Sequence, residues 1–157
     1  MSTMSHKHAL EAAEWAVAAG LIIGRAVVGA AIWLAPERAL PALGFNRAAR
    51  RGEALTLARI AATRDLVLGL WQAASLRDRA GLRASTLAVT ASDAGDAVAF
   101  AALARRGGHP GLAAKGLAGA VPATLAGGWL AARLRTESTR KRPTGGRSRW
   151  VELPPAS

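Results

Sequence analysis

Four long apolar segments dominate the chain, and each is close to the length that crosses a membrane as a helix. They cover residues 15–35, 56–76, 84–103 and 111–134. A hydrocarbon core about 30 Å thick needs about 20 helical residues. No stretch keeps the strict alternation of apolar and polar residues that is typical of a strand. The pattern therefore predicts an all-α protein with a four-helix transmembrane bundle within residues 1–134.

A soluble four-helix bundle is the alternative, and the placement of charge disfavours it. Each helix of a soluble bundle presents a charged face to water. The first segment carries no charged residue over 15–24 or 26–36, and the second carries none over 66–76. We therefore interpret the four segments as membrane spans.

Prolines and glycines mark the predicted ends and irregularities of these spans. Pro36 ends the first span, since proline cannot continue a helix interior, and residues 41–44 read as a turn. Pro122 predicts a kink in the fourth span. Residues 1–8 are expected to form a short flexible lead, and the polar, basic residues 135–157 a disordered tail.

The charge balance indicates an anionic partner, which the span pattern identifies as the lipid bilayer. Lysine and arginine number 21 against 10 acidic residues, a net charge of +11. A basic cluster just outside a span binds anionic lipid headgroups, and the tail has this position. Nucleic acid is disfavoured because no folded recognition module accompanies the tail. The chain has no cysteine, which excludes disulfides and thiolate chemistry.

Basic residues beside the spans predict the orientation. The side that holds both termini carries the larger group, which includes Arg77, Arg79, Arg83 and the tail. We therefore expect a multi-pass protein of a bacterial cytoplasmic membrane with both termini in the cytoplasm. The first segment contains Arg25 and lacks a clear cleavage site, so we expect it to be retained.

Charged residues inside the predicted spans are the candidate functional cluster, because charge at such depth is costly and usually functional or paired. Its members are Arg25, Arg59, Arg64, Asp65, Asp93 and Asp96. Counting about 1.5 Å per residue from the span ends places all of them except Arg59 near the midplane. Arg59 lies nearer the outer surface and is expected to reach towards it.

The helical spacing suggests how these charges pair. Asp93 and Asp96 are three residues apart and share a face, so their mutual repulsion requires a proton or nearby cations. Arg25 and Arg64 are the available cations. Arg64 and Asp65 are neighbours in sequence and diverge by about 100°, so we do not expect them to pair well.

Small residues recur every four positions in two spans. One row is Ala16, Gly20 and Gly24, and the other is Gly119, Ala123 and Gly127. Such rows let helix backbones approach closely. We expect them to pack helices within the bundle, with formation of a homo-oligomer as the alternative.

Two stretches resemble a group of small bacterial four-helix membrane proteins of unknown function, loosely similar to DoxX-like proteins. They are GRAVVGAAIWLAP over 24–36 and RIAATRDLVLGL over 59–70. The group's pattern would fall on Arg25, Gly29, Pro36, Arg59, Ala62, Arg64, Asp65, Gly69, and Asp93 or Asp96. Ala62 stands where glycine looks more usual. The resemblance covers roughly 16–134 and implies the membrane fold without an activity.

The sequence leaves two functions open. The first is a non-enzymatic membrane protein that is held together by its ion network. Such a protein would be either a small-ligand binder or an accessory subunit with a protein partner. The alternative is a membrane-embedded enzyme or proton-coupled carrier that uses Asp93 or Asp96. No cofactor or metal is expected, because His6, His8 and His109 all lie outside the spans.

Overall fold

The computed structural model describes residues 3–46, 52–107 and 109–140, and their side chains over 12–46, 52–107 and 109–135. The described residues form helices joined by short connections. Five α-helices cover Thr3–Leu34 (α1), Pro36–Ala42 (α2), Gly52–Ala74 (α3), Arg79–Arg105 (α4) and Pro110–Arg140 (α5). A short 3-10 helix, Ser75–Arg77, joins α3 to α4. The predicted all-α class is therefore confirmed.

Two of the helices are long and apolar enough to cross a membrane. They are the Ala12–Leu34 part of α1 and the whole of α4, Arg79–Arg105. By contrast, α3 carries Arg59, Arg64 and Asp65 close together, and α5 is rich in Ala and Gly and ends in a polar segment. Length and composition therefore support two of the four spans that the sequence predicts.

The four long helices form two packed pairs. α1 packs most extensively against α3, and α4 against α5, whereas the contacts of α1 with α5 and of α3 with α4 are fewer. Gln72 of α3 donates a hydrogen bond to Thr86 of α4 at 3.0 Å, and farther along Arg64 bonds to Asp96. Since the residue numbers run in opposite directions, α3 and α4 are antiparallel.

Buried apolar side chains form two clusters, one towards each end of the bundle. The cluster at the α3–α4 connection joins α1, α4 and α5 through Ala18, Leu82, Leu130 and Leu134. The cluster at the other end joins α1, α2 and α3 through Ile32, Leu40, Ala58 and Ala62. The middle of the bundle therefore depends on other contacts.

The connection after α1 is more ordered than the predicted turn. Pro36 begins α2 at its first turn, where a proline needs no amide hydrogen and its fixed φ favours a helix. Gly44 then adopts a φ of +93°, and a Cβ there would lie 2.8 Å from the carbonyl oxygen of Gly111. Both the backbone conformation and the close approach to α5 require glycine at this position.

The outer helices extend beyond the predicted spans. α1 begins at Thr3, within the expected flexible lead, and α5 continues to Arg140, within the expected tail. Neither extension contains glycine or proline, so nothing in the local sequence interrupts the helical hydrogen bonding. The rest of the predicted tail, 141–157, lies outside the described residues.

Candidate functional site

Five of the charged residues predicted to lie near the membrane midplane meet in one ion cluster. Arg25 comes from α1, Arg64 and Asp65 from α3, and Asp93 and Asp96 from α4. We call these five residues the ion cluster. It lies between the two apolar clusters, where three helices face each other.

Arg25 is the central cation of the ion cluster. Its Nη1 donates to Oδ1 of Asp65 at 3.1 Å, and its Nη2 donates to Oδ1 of Asp93 at 2.5 Å. Only 8% of the Arg25 side chain is exposed. One buried guanidinium therefore links α1 to both α3 and α4.

Arg64 forms the second half of the ion cluster. Its Nη1 and Nη2 donate to the two oxygens of Asp96 at 3.0 and 2.6 Å, the bidentate geometry that makes such pairs strong. Its Nε and Nη2 also donate to Oδ1 of Asp65 at 3.3 and 3.1 Å. The expectation that Arg64 and Asp65 pair poorly was wrong, because the long arginine side chain can bring its guanidinium back to the neighbouring carboxylate.

The hydrogen bonding of the ion cluster is incomplete. Three carboxylates face two guanidiniums, so the fully ionised cluster carries one excess negative charge. Within the described part of the chain, Oδ2 of Asp93 and Nε of Arg25 are buried without a hydrogen-bond partner. Buried polar atoms without partners are costly, so the ion cluster is not a saturated hydrogen-bond network.

Glycines allow the helices to approach each other at the ion cluster. A Cβ added at Gly69 of α3 would lie 3.4 Å from Cβ of Arg25, and one at Gly29 of α1 would lie 2.7 Å from Cγ of Leu66. The absence of side chains at these positions brings α1 against α3. This close packing places Arg25 within reach of both carboxylates.

A central cavity of about 460 Å³ adjoins the ion cluster. All five members of the ion cluster line one part of it, and the rest of its wall is mainly apolar. The other lining residues are Gly20, Leu21, Gly24, Val28, Ile32, Leu43, Phe45, Ala58, Ala61, Phe100, Leu112, Lys115, Gly116, Gly119, Ala120 and Ala123. A volume of this size is typical of sites for small molecules.

The rows of small residues shape this cavity. Gly20 and Gly24 of α1 and Gly119 of α5 line it, and a Cβ added at any of them would meet no heavy atom within 4 Å. At these three positions the expectation of close backbone packing was therefore wrong. Gly127 behaves as expected, because a side chain there would collide with Thr90 of α4.

Lys115 belongs to the cavity, although the sequence did not identify it as a site residue. It lines the cavity, and its Nζ donates a hydrogen bond to the carbonyl oxygen of Ala42 in α2 at 2.8 Å. A single lysine near the end of a span resembles an orientation signal. The tertiary structure shows that Lys115 and the ion cluster line the same cavity.

Arg59 does not join the ion cluster. Its guanidinium lies over the indole ring of Trp33, with Cζ 5.2 Å from the ring centroid. Helical geometry explains the separation, because five residues along an α-helix correspond to a rotation of about 140° from Arg64. Arg59 therefore faces a different surface of α3.

Comparison with known proteins found no family model that matches the chain, and no curated protein or solved structure with significant similarity.

The geometry predicts different stability effects for two arginines. We expect Arg25→Met to lower the free energy of unfolding by about 3–5 kcal/mol, because Asp93 would remain buried without its cation. Arg59→Met should cost about 1 kcal/mol or less, since it loses only a cation–π contact. Denaturant unfolding of both variants in detergent measures the difference. Equal losses would contradict the assignment of Arg25 as the central cation.

Proposed function

We propose that the protein is a four-span integral membrane protein that binds a small, largely apolar molecule in its central cavity. The polar group of the ligand lies against the ion cluster. The observation that carries the proposal is the direct contact of an incompletely paired ion cluster with an apolar cavity large enough for a ligand. A purely structural ion network requires no such space beside it.

Exposed apolar side chains support the membrane location. Leu70 of α3 is 73% exposed, Val98 of α4 is 70% exposed and Leu125 of α5 is 69% exposed. Ile23 of α1 is also exposed. Large apolar side chains on the outer surface of every long helix suit contact with lipid and are unfavourable in water. This distribution favours four spans, including α3 and α5.

Cysteine labelling tests the four spans, because the natural chain has no cysteine. Single cysteines at Leu70, Val98 and Leu125 should resist a membrane-impermeant maleimide in membranes and react after the protein is unfolded in denaturant. Lipid around these positions would exclude the reagent. Rapid labelling of all three in intact membranes would show that these surfaces face water.

Two further positions serve as controls and report the orientation. Glu37 of α2 and Arg77 at the α3–α4 connection are both exposed, near opposite ends of the bundle. With both termini in the cytoplasm, Glu37→Cys should react in intact cells and Arg77→Cys only in permeabilised cells. The reverse pattern would invert the orientation but leave the four spans intact.

The exposed part of the ion cluster indicates the chemistry of the ligand. The side chains of Arg64 and Asp96 are 39% and 34% exposed, whereas that of Asp93 is 9% exposed. Arg64 and Asp96 therefore offer a donor and an acceptor to the cavity. The excess negative charge of the ion cluster favours a polar group that is cationic or donates a hydrogen bond, since Lys115, the other charged residue of the described lining, is bonded to the carbonyl oxygen of Ala42.

Filling the cavity tests the binding function. Gly119→Leu projects a side chain into the cavity and should abolish binding of two probes, octyltrimethylammonium and 1-octanol. We expect at least one probe to raise the thermal stability of the wild-type protein in detergent, because a ligand that binds the folded state stabilises it. The variant should show no such increase.

Gly128→Leu is the matched control for this substitution. Gly128 lies on the same helix, has open space around its Cβ position and does not line the cavity. This variant should respond to the probes as the wild type does. Equal responses from the wild type and Gly119→Leu would place probe binding outside the cavity and refute the proposal.

A proton-linked function is the second candidate, favoured by the unpartnered Oδ2 of Asp93. Asp93 belongs to the ion cluster, whose three carboxylates and two guanidiniums leave one excess negative charge that one proton would neutralise. A carrier or enzyme could use this proton. Its uptake or release would then accompany ligand binding.

The pH dependence of binding tests the second candidate. Octyltrimethylammonium keeps its charge at every pH, so the wild-type protein should bind it more tightly at high pH, where the ion cluster has lost its proton. Asp93→Asn holds the neutral form permanently and should remove this dependence. A wild-type affinity that does not change with pH would leave only the simple binding function.

A further inference from the structure

Arg59 is a cation within a predicted span, and no carboxylate of the described residues pairs with it. Its guanidinium lies over the indole ring of Trp33, with Cζ 5.2 Å from the ring centroid. Its Nε is buried without a hydrogen-bond partner. Burying part of a guanidinium without an anion is unfavourable, so this position is suited to an anion from outside the chain.

Arg59 lies in a surface groove between the end of α1 and the first turns of α3. The groove has a volume of about 380 Å³ and is lined by Trp33, Thr56, Arg59, Ile60 and Thr63. We call it the Trp33 groove. It shares none of its lining residues with the central cavity, so the two are separate sites.

The other polar groups of the Trp33 groove are already engaged within the chain. Trp33 Nε1 donates to Oγ1 of Thr63 at 3.2 Å, and that hydroxyl donates to the carbonyl oxygen of Arg59 at 2.9 Å. The hydroxyl of Thr56 donates to the carbonyl oxygen of Gly52 at 3.3 Å. These bonds hold the indole in place beneath the guanidinium. Arg59 is therefore the group with donor capacity left for a ligand.

The surroundings of the Trp33 groove are apolar and exposed. Ile60 and Val67 on α3 are each at least 60% exposed, and Trp33 is 44% exposed. A small inorganic anion would leave these side chains uncovered. A phospholipid would bring acyl chains to the apolar surface of α3 and a phosphate to Arg59. Tryptophan beside an arginine is also typical of the interfacial region of a bilayer.

We propose that the Trp33 groove binds an acidic phospholipid, with its phosphate on Arg59 and its acyl chains along the exposed face of α3. An acidic headgroup fits because its phosphate has no positive charge within the same headgroup, so Arg59, the one cation among the described lining residues of the groove, becomes its counter-ion. This inference rests on the proposed membrane location and is independent of ligand binding in the central cavity.

Native mass spectrometry of the full chain in detergent tests the inference. The wild-type protein should retain phosphatidylglycerol in preference to phosphatidylcholine. Arg59→Gln should weaken phosphatidylglycerol retention by about tenfold or more, as expected for the loss of a charged hydrogen bond. Arg38→Gln on α2 is the matched control, since it removes an exposed arginine outside the groove, and it should retain lipid as the wild type does.

A second variant separates loss of the site from loss of folding. Thr56→Glu places a carboxylate three residues before Arg59, on the same side of α3. It should neutralise Arg59 without removing it, and should also lose phosphatidylglycerol. The cavity variant Gly119→Leu should keep this lipid, so failure of the cavity proposal and failure of this one are distinguishable.

Three outcomes would overturn the inference. The first is unchanged phosphatidylglycerol retention by both Arg59→Gln and Thr56→Glu. The second is equal retention of phosphatidylcholine by the wild type, which would remove the preference for an acidic headgroup. The third is competition by inorganic phosphate at equal concentration, which would show that the groove binds a free anion and makes no use of its apolar surroundings.

Discussion

The ion pairing of Arg25 is the interaction on which the middle of this bundle depends. Apolar side chains join the helices towards both ends of the bundle, but a cavity occupies the space near its centre. There the guanidinium of Arg25 connects α1 to α3 and to α4. Because α1–α3 and α4–α5 are the closely packed pairs, this residue also joins one pair to the other. A buried charge is tolerated here because its carboxylate partners are positioned by two different helices.

The cavity and the ion cluster have a common origin in the distribution of small residues. Gly69 lets α1 and α3 approach each other, which brings Arg25 to Asp65. On the opposite side, Gly24 and Gly119 leave space that no side chain fills. The same residue type therefore produces close packing in one place and a void in another. The result is a polar cluster that is buried on one side and open to an apolar cavity on the other.

Arg59 and Arg64 show how strongly helical position determines the environment of a charge. They lie on one helix, five residues apart, and both fall within a predicted span. Arg64 faces α4 and pairs with Asp96 in a bidentate arrangement. Arg59 faces the surface beside Trp33 and has an aromatic ring as its partner. Two arginines on one helix thus lie in different environments, one paired with carboxylates inside the chain and the other beside an aromatic ring at the surface.

The sequence by itself determined the helical class, the approximate limits of α3 and α4 and the common level of Arg25, Asp65 and Asp93. Each of these follows from local periodicity and residue counting along one helix at a time. Tertiary structure decided the pairing of Arg64 with Asp65, the separation of Arg59 and the presence of the cavity. These depend on side-chain reach and on the distances between helices, which residues far apart in sequence set together. A row of glycines has the same sequence pattern whether it packs against a helix or lines a cavity. The position of the neighbouring helix decides which of the two occurs.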